Sequence, residues 1–201
     1  METVGEDYSS LESIAQTGGL RPDEHWDANL EHARAVAELA RYHELELVTF
    51  HAGFLPHDVE DPERAKLLGR LREVADVFTK HRVKLGLETG QESAVTLASV
   101  LTELDRPNVG VNFDPANMIL YGMGDPLEAI RVLASSVVQI HVKDAMSTET
   151  PGTWGAEVAV GSGAVPWSDF FQAARSCPAE ALVIEREAGG TREQDIIAAK
   201  Q

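Results

Sequence analysis

Three carboxylates and one imidazole stand at or beside the ends of four short apolar runs, and they are the residues of this chain best suited to chemistry. VKLGLE ends at Glu88, VGVNFD at Asp114 and ALVIE at Glu185, while VVQIHV carries His141 beside its last residue. Oxygen donors with one nitrogen suit a divalent cation of the Mn²⁺, Mg²⁺ or Co²⁺ kind. Each carboxylate also has a plainer use, because an acidic residue after a buried strand often caps the next helix. Convergence separates the two readings. The runs are β-branched and lack polar alternation, the pattern of strands buried on both faces in a parallel sheet under helices. Such a sheet brings all four ends to one rim.

The segments between them have the right character to position that rim. Successive candidates are 26, 27 and 44 residues apart. The first two steps are each one strand-helix unit, and the third is one unit enlarged by a loop. Asp61-Pro62 and Asp125-Pro126 are helix starts, since Asp accepts from an orphan N–H and Pro fits the first helical position. The first of these helices runs to about His81 with Ala65, Leu68, Ala75 and Phe78 inward, and residues 92–104 form another. Upstream, LELVTFH reads as a strand ending at His51. Before it, Asp23 caps a helix whose Trp26, Leu30, Ala33, Ala37 and Ala40 form one apolar stripe. Residues 1–22 read as loop, with 1–4 a candidate strand remnant. The Gly, Pro and Thr content of residues 144–166 argues for a long irregular loop, and long loops in compact domains are usually functional. Trp167 then opens a helix, and Thr191 with Gln194 has capping-box spacing for the last one.

Composition narrows the class. The chain has 201 residues, 43% of them hydrophobic and 25% charged, as expected of one globular domain spanning 1–201. A net charge of −16 opposes nucleic acid and anionic membrane as partners. The start METVGEDYSS is acidic and polar, unlike a secretory signal, and Cys177 is the single cysteine. A cytoplasmic protein follows as the expectation.

Alternating strands and helices predict an α/β fold with right-handed crossovers. GSG at 161–163 lies in a loop without a strand leading into it, so the dinucleotide fingerprint is absent. A (β/α)8 TIM-barrel arrangement explains ligands spread over four strands, because barrel sites are built from several strand ends at one mouth. A complete barrel needs about 250 residues, and this sequence holds about five to six strands.

In order along the chain, TFHAG (49–53), GLETG (86–90), NFDPANM (112–118), HVKD (141–144), VGSGAVPW (160–167) and IEREAG (184–189) resemble the xylose isomerase-like barrels. That superfamily includes sugar phosphate isomerases and epimerases, inosose dehydratases and endonuclease IV. The resemblance covers roughly residues 45–200. It implies that the clear strands are the fourth to eighth of a barrel whose first two to three are missing. It also implies that Glu88, Asp114, His141 and Glu185 ligate one divalent ion, Mn²⁺ first, with Mg²⁺, Co²⁺ or Zn²⁺ as alternatives. The sheet edges left open would need cover from the N-terminal segment or from a partner, as in a homo-oligomer.

The implied activity is a sugar or sugar-phosphate isomerase or epimerase, with a small sugar or polyol as partner. A metal-stabilised enediolate forms by proton abstraction beside a carbonyl, with Glu88 and Glu185 as base and acid on opposite faces of the carbon. Loss of a β-hydroxyl from the same enediolate would make an inosose-type dehydratase, which HVKD also resembles. A non-catalytic metal-binding barrel fragment is the reading from another class. His51, Asn117, Lys143 and Trp154 are the candidate substrate contacts. Three of them have a plainer role: a wall residue for His51, a pair with Asp144 for Lys143, and packing of the long loop for Trp154. Asn117 stands where tagatose-type epimerases and endonuclease IV carry His, and it is a poor ligand for a second zinc. The long loop also lacks the Asp-x-His pair of the endonuclease, so DNA repair stands well behind sugar chemistry.

Overall fold

The computed structural model describes residues 1–150 and 152–200. Five strands form one sheet in the order β1 (Leu47–Phe50), β2 (Lys84–Glu88), β3 (Val109–Phe113), β4 (Val137–Val142) and β7 (Ala181–Ile184). The strands of this sheet stand side by side in the order they occur along the chain, with β5 (Asp144–Met146) and β6 (Ala156–Val158) of a separate two-stranded sheet falling between β4 and β7 in sequence. The pairs β1–β2 and β4–β7 are parallel, with Phe50 opposite Leu87 and His141 opposite Val183. Leu85 N–H donates to Asn108 O and Thr89 N–H to Asn112 O, which is the parallel sense again. This is the predicted α/β class with five strands of an incomplete barrel.

Contacts divide the chain into two compact units, residues 1–88 with 96–111 and residues 89–95 with 112–201. In the first, helix α3 (Pro62–His81) buries Leu67, Leu71, Val74 and Phe78, and helix α2 (Trp26–Tyr42) buries Ala33, Ala37 and Ala40. The small alanines let α2 lie close against α3. Asp61 accepts from Glu63 N–H at 2.9 Å with Pro62 beside it, as the sequence predicted. Ala65 is exposed, however, and Arg64 is the buried neighbour. Its guanidinium reaches Glu103 at 2.5 Å, Ser99 at 2.8 Å and Pro56 O at 2.6 Å, so a charged side chain is tolerated where both terminal nitrogens find acceptors.

The N-terminal segment is not the loop with a strand remnant that its sequence suggests. Leu11–Thr17 is a helix, α1, capped by Ser10, and residues 1–4 form no strand. The segment still reaches the sheet, since the Met1 ammonium donates to Thr49 O at 2.6 Å and Leu20 N–H to Ala52 O at 3.0 Å. Asp23 does not cap α2. It lies in a 3-10 turn and pairs with Arg70 at 2.6 Å and Lys66 at 3.0 Å, because the turn presents its carboxylate to α3 instead of to its own N–H groups.

In the second unit, α5 (Pro115–Leu120) and α6 (Pro126–Leu133) follow β3, and α7 (Trp167–Ala174) precedes β7. Phe113 and Phe170, both fully buried, meet at 5.7 Å between ring centroids. The loop expected to be irregular contains an antiparallel hairpin of β5 (Asp144–Met146) and β6 (Ala156–Val158). Its order comes from Asp144, which accepts from the N–H groups of Gly161, Gly163 and Val165 and from Trp167 Nε1. At the last helix, α8 (Arg192–Ala199), the capping-box expectation fails. Thr191 makes no cap bond, and its hydroxyl turns to Asp195. β7 ends the sheet, with Leu182 58% and Val183 39% exposed on its two faces.

Candidate metal centre

Asp114 follows β3 immediately and occupies the N-cap of α5, so the local fold divides its two oxygens. Oδ1 accepts from Asn117 N–H at 2.9 Å, and Oδ2 faces His141 Nδ1 at 3.3 Å. The capping role and the ligand role are thus both open to one carboxylate. Thr89, the residue after β2, fixes the turn: its hydroxyl donates to Asp114 O at 3.0 Å and accepts from Asp114 N–H at 2.8 Å. Gly90 follows with φ +133°, and a Cβ there would lie 2.5 Å from Asn117 Cβ, so only glycine lets this loop approach α5.

His141 and Lys143 alternate along β4 and its continuation, and both are buried. His141 Nδ1 also lies 3.4 Å from Glu185 Oε2, the residue immediately after β7. Its other nitrogen, Nε2, is 3.0 Å from the Asn112 amide nitrogen, and Asn112 Oδ1 accepts from Gln139 at 3.2 Å. With the amide in this orientation Nε2 is the acceptor and the ring proton lies on Nδ1. A cation at Nδ1 would require the proton on Nε2 and the Asn112 amide turned over to accept it.

Lys143 Nζ sits 2.8 Å from Glu185 Oε2, 2.6 Å from Glu187 Oε2 and 3.9 Å from Asp114 Oδ2. Burial opposes its charge, but Asp114, Glu185 and Glu187 outweigh burial and hold the ammonium well above the ordinary lysine range. Burial likewise pushes Glu185 up. The contact with His141 and the charge of Lys143 outweigh it and bring the carboxyl down to about 2. In the first unit, Glu88 Oε1 lies 3.4 Å from His51 Nε2.

Among the described residues, Glu88, Asp114, His141 and Glu185 form a group that could hold a metal ion, with one ligand atom of each within 4.8 Å of the others. The donor set is three oxygens and one nitrogen, and Nδ1 and Oδ2 face each other, so the residues fit a divalent cation. Lys143 points to these acids and not to Asp144. His51 touches Glu88. Asn117 is buried, with its backbone on Asp114, and Trp154 packs edge-on against Tyr121 at 4.9 Å between centroids. Sequence reasoning missed Glu187, Asn112, Gln139 and Thr89. Glu187, Asn112 and Gln139 each stand two residues from a candidate ligand, so the period of an extended chain could have found them.

Among curated proteins, 84 residues are 33% identical to the 3-oxo-isoapionate decarboxylase of Pectobacterium atrosepticum, a match spanning 41% of this chain and 30% of the decarboxylase. Among solved structures, a xylose isomerase domain protein from Planctomyces limnophilus is 34% identical with a TM-score of 0.93, over 98% of this chain and 72% of that one. The probable 3-DHS dehydratase AsbF of Bacillus anthracis has a TM-score of 0.73 at 20% identity, over 91% of this chain and 72% of that one. The same fold recurs in a D-tagatose 3-epimerase-like protein (TM-score 0.71, 17% identity, 89% of this chain and 68% of that one) and in an IOLI protein solved with zinc (TM-score 0.73, 16% identity, 90% and 70%). The model of the xylose isomerase-like TIM barrel matches residues 10–200. With that match and a site at the ends of its strands, this chain belongs to the xylose isomerase-like TIM barrel family.

Proposed function

We propose that the chain is a divalent-metal-dependent isomerase or epimerase of a sugar or sugar phosphate, with Mn²⁺ as its ion, acting in the cytoplasm. One observation carries the reading: the O₃N group of Glu88, Asp114, His141 and Glu185, with the Lys143 ammonium beside two of its carboxylates. A divalent cation held there supplies positive charge to a ketone oxygen and its neighbouring hydroxyl, which makes the proton on the carbon between them acidic. The chain's own residues do the rest. Glu88 and Glu185 are the carboxylates available to remove and return that proton, and Glu185 is ionised at neutral pH. Lys143 has N–H donors for a substrate oxygen. His51, Asn117 and Trp154 contact the remainder of the substrate. Return of the proton to the opposite face of the carbon gives epimerisation, and return to the neighbouring carbon gives aldose-ketose isomerisation.

A second reading is favoured by the match to a decarboxylase and the fold shared with a probable dehydratase. Loss of carbon dioxide from a 3-oxo acid, or of a β-hydroxyl, would use the same charge at the same oxygens. The chain matches only part of these relatives' length, so a non-catalytic metal-binding fragment is the contrasting outcome. Exchange of substrate C–H for deuterium in D₂O with Mn²⁺ present, read by NMR after the ion is chelated, tests the proposal on ketoses, ketose phosphates, inososes and 3-oxo sugar acids. Exchange that disappears with EDTA and in Glu185→Gln is expected. Metal-loaded chain that exchanges none of these, and releases neither carbon dioxide nor water from them, would sink the enzyme reading.

A further inference from the structure

Lys143 is 2% exposed, and its ammonium rests on three carboxylates of two kinds. Glu185 Oε2, at 2.8 Å, and Asp114 Oδ2, at 3.9 Å, belong to the candidate ligand group. Glu187 Oε2, at 2.6 Å, does not. The ammonium therefore draws on oxygens that a divalent cation would also use, and two positive charges sharing them weaken each other's hold. Glu187 is built differently from the other two. Its side chain is 68% exposed, while its backbone N–H is fixed on Glu157 Oε1 at 2.9 Å. Arg186 anchors to the same Glu157 oxygen at 2.7 Å, so the segment that carries Glu187 is held in place. An ammonium has three donors, and the close contacts use two of them, one on each glutamate.

We propose that Lys143 is the internal counter-cation of the site, that it yields Glu185 to an entering divalent cation while Glu187 retains it, and that Glu187 is thereby the positioning residue that leaves a Lys143 N–H free for substrate. The inference rests on the metal-centre reading above. It gives the site an order of events, with the cation entering first and a second Lys143 N–H becoming available after it. It also gives a role to a carboxylate outside the ligand group.

Calorimetric titration of the full chain with Mn²⁺ at fixed pH and ionic strength tests it, using wild type, Lys143→Met, Glu187→Gln and the double variant, each checked for a cooperative melt. Lys143→Met should bind Mn²⁺ about tenfold tighter, because the competing charge is gone. Glu187→Gln should bind about fivefold weaker, because the lysine loses its alternative partner. In the Lys143→Met background the Glu187 change should alter affinity by less than about twofold, which a simple loss of negative charge would not predict. Unchanged or weaker binding by Lys143→Met, or an equal Glu187→Gln effect in both backgrounds, overturns the inference and leaves the metal centre standing. Wild type that binds no Mn²⁺ overturns both. If Lys143→Met does not fold, Glu187→Gln alone decides, and wild-type affinity in that variant overturns the inference.

Discussion

Replacing Asp144 with Asn tests how the long loop is held. Asp144 is fully buried, and its two oxygens accept five hydrogen bonds. Oδ1 takes Ala145 N–H at 2.9 Å and Val165 N–H at 3.2 Å. Oδ2 takes Gly161 N–H at 2.9 Å, Gly163 N–H at 3.1 Å and Trp167 Nε1–H at 3.0 Å. Asn keeps the shape but offers one acceptor oxygen, so at least two N–H groups are left facing an NH₂. Each buried unpaired donor costs about 1–3 kcal/mol. Some of these donors are only partly buried and can find water, so about 3 kcal/mol is the expected loss. That is a large share of the roughly 5–15 kcal/mol that holds a domain together. Urea denaturation should show the midpoint falling at unchanged m, with faster proteolysis within residues 147–160. Gly163→Ala should act on the same contact, because a Cβ there would lie 2.0 Å from Asp144 Oδ1. A loss below about 1 kcal/mol in Asp144→Asn would refute the reasoning.

Two further outcomes follow from the same contacts. The Glu185 carboxyl is held at about 2 against an ordinary 4.5, so it favours the folded state above pH 4.5 and loses that contribution as pH falls toward 2. Discounted for solvent screening it is worth about 2 kcal/mol, and the stability gap between wild type and Glu185→Gln should close between pH 5 and 2. A gap that is the same at both ends contradicts the depressed carboxyl. At the sheet end, Leu182 and Val183 leave β7 apolar on both faces, and among the described residues no strand pairs beyond it, so concentration-dependent self-association is expected by sedimentation. Val183→Lys should reduce it, and a wild-type chain that stays monomeric as concentration rises would show that the edge does not drive association.

The apolar runs made the sheet legible because β2, β3 and β4 are largely buried on both faces, whereas β7, expected to be buried in the same way, is exposed on both. Lys143 was readable because it alternates with His141. Its partner was not foreseen, since a neighbour in sequence, Asp144, looked sufficient. Asp144 points the opposite way in an extended chain and is used to order the loop. Helix α1 escaped notice because LESIAQT has a single fully buried side chain, Ile14, and therefore no apolar stripe. The β5–β6 hairpin was hidden for a related reason, since its order comes from hydrogen bonds to Asp144 at a separation of 17–23 residues and from no local propensity. Arg64 shows the limit of stripe reasoning, because a buried position on a helix went to a cation whose terminal nitrogens bond Pro56 O, Ser99 and Glu103.

The claim that four side chains share one cation is tested most directly by anomalous diffraction from crystals of this chain equilibrated with Mn²⁺. One strong peak should appear about 2.0–2.3 Å from an atom of each of Glu88, Asp114, His141 and Glu185. The ligand atom of His141 should be Nδ1, with Asn112 Oδ1 turned to its Nε2. A peak elsewhere, or none at a concentration that saturates the calorimetric titration, would contradict the account.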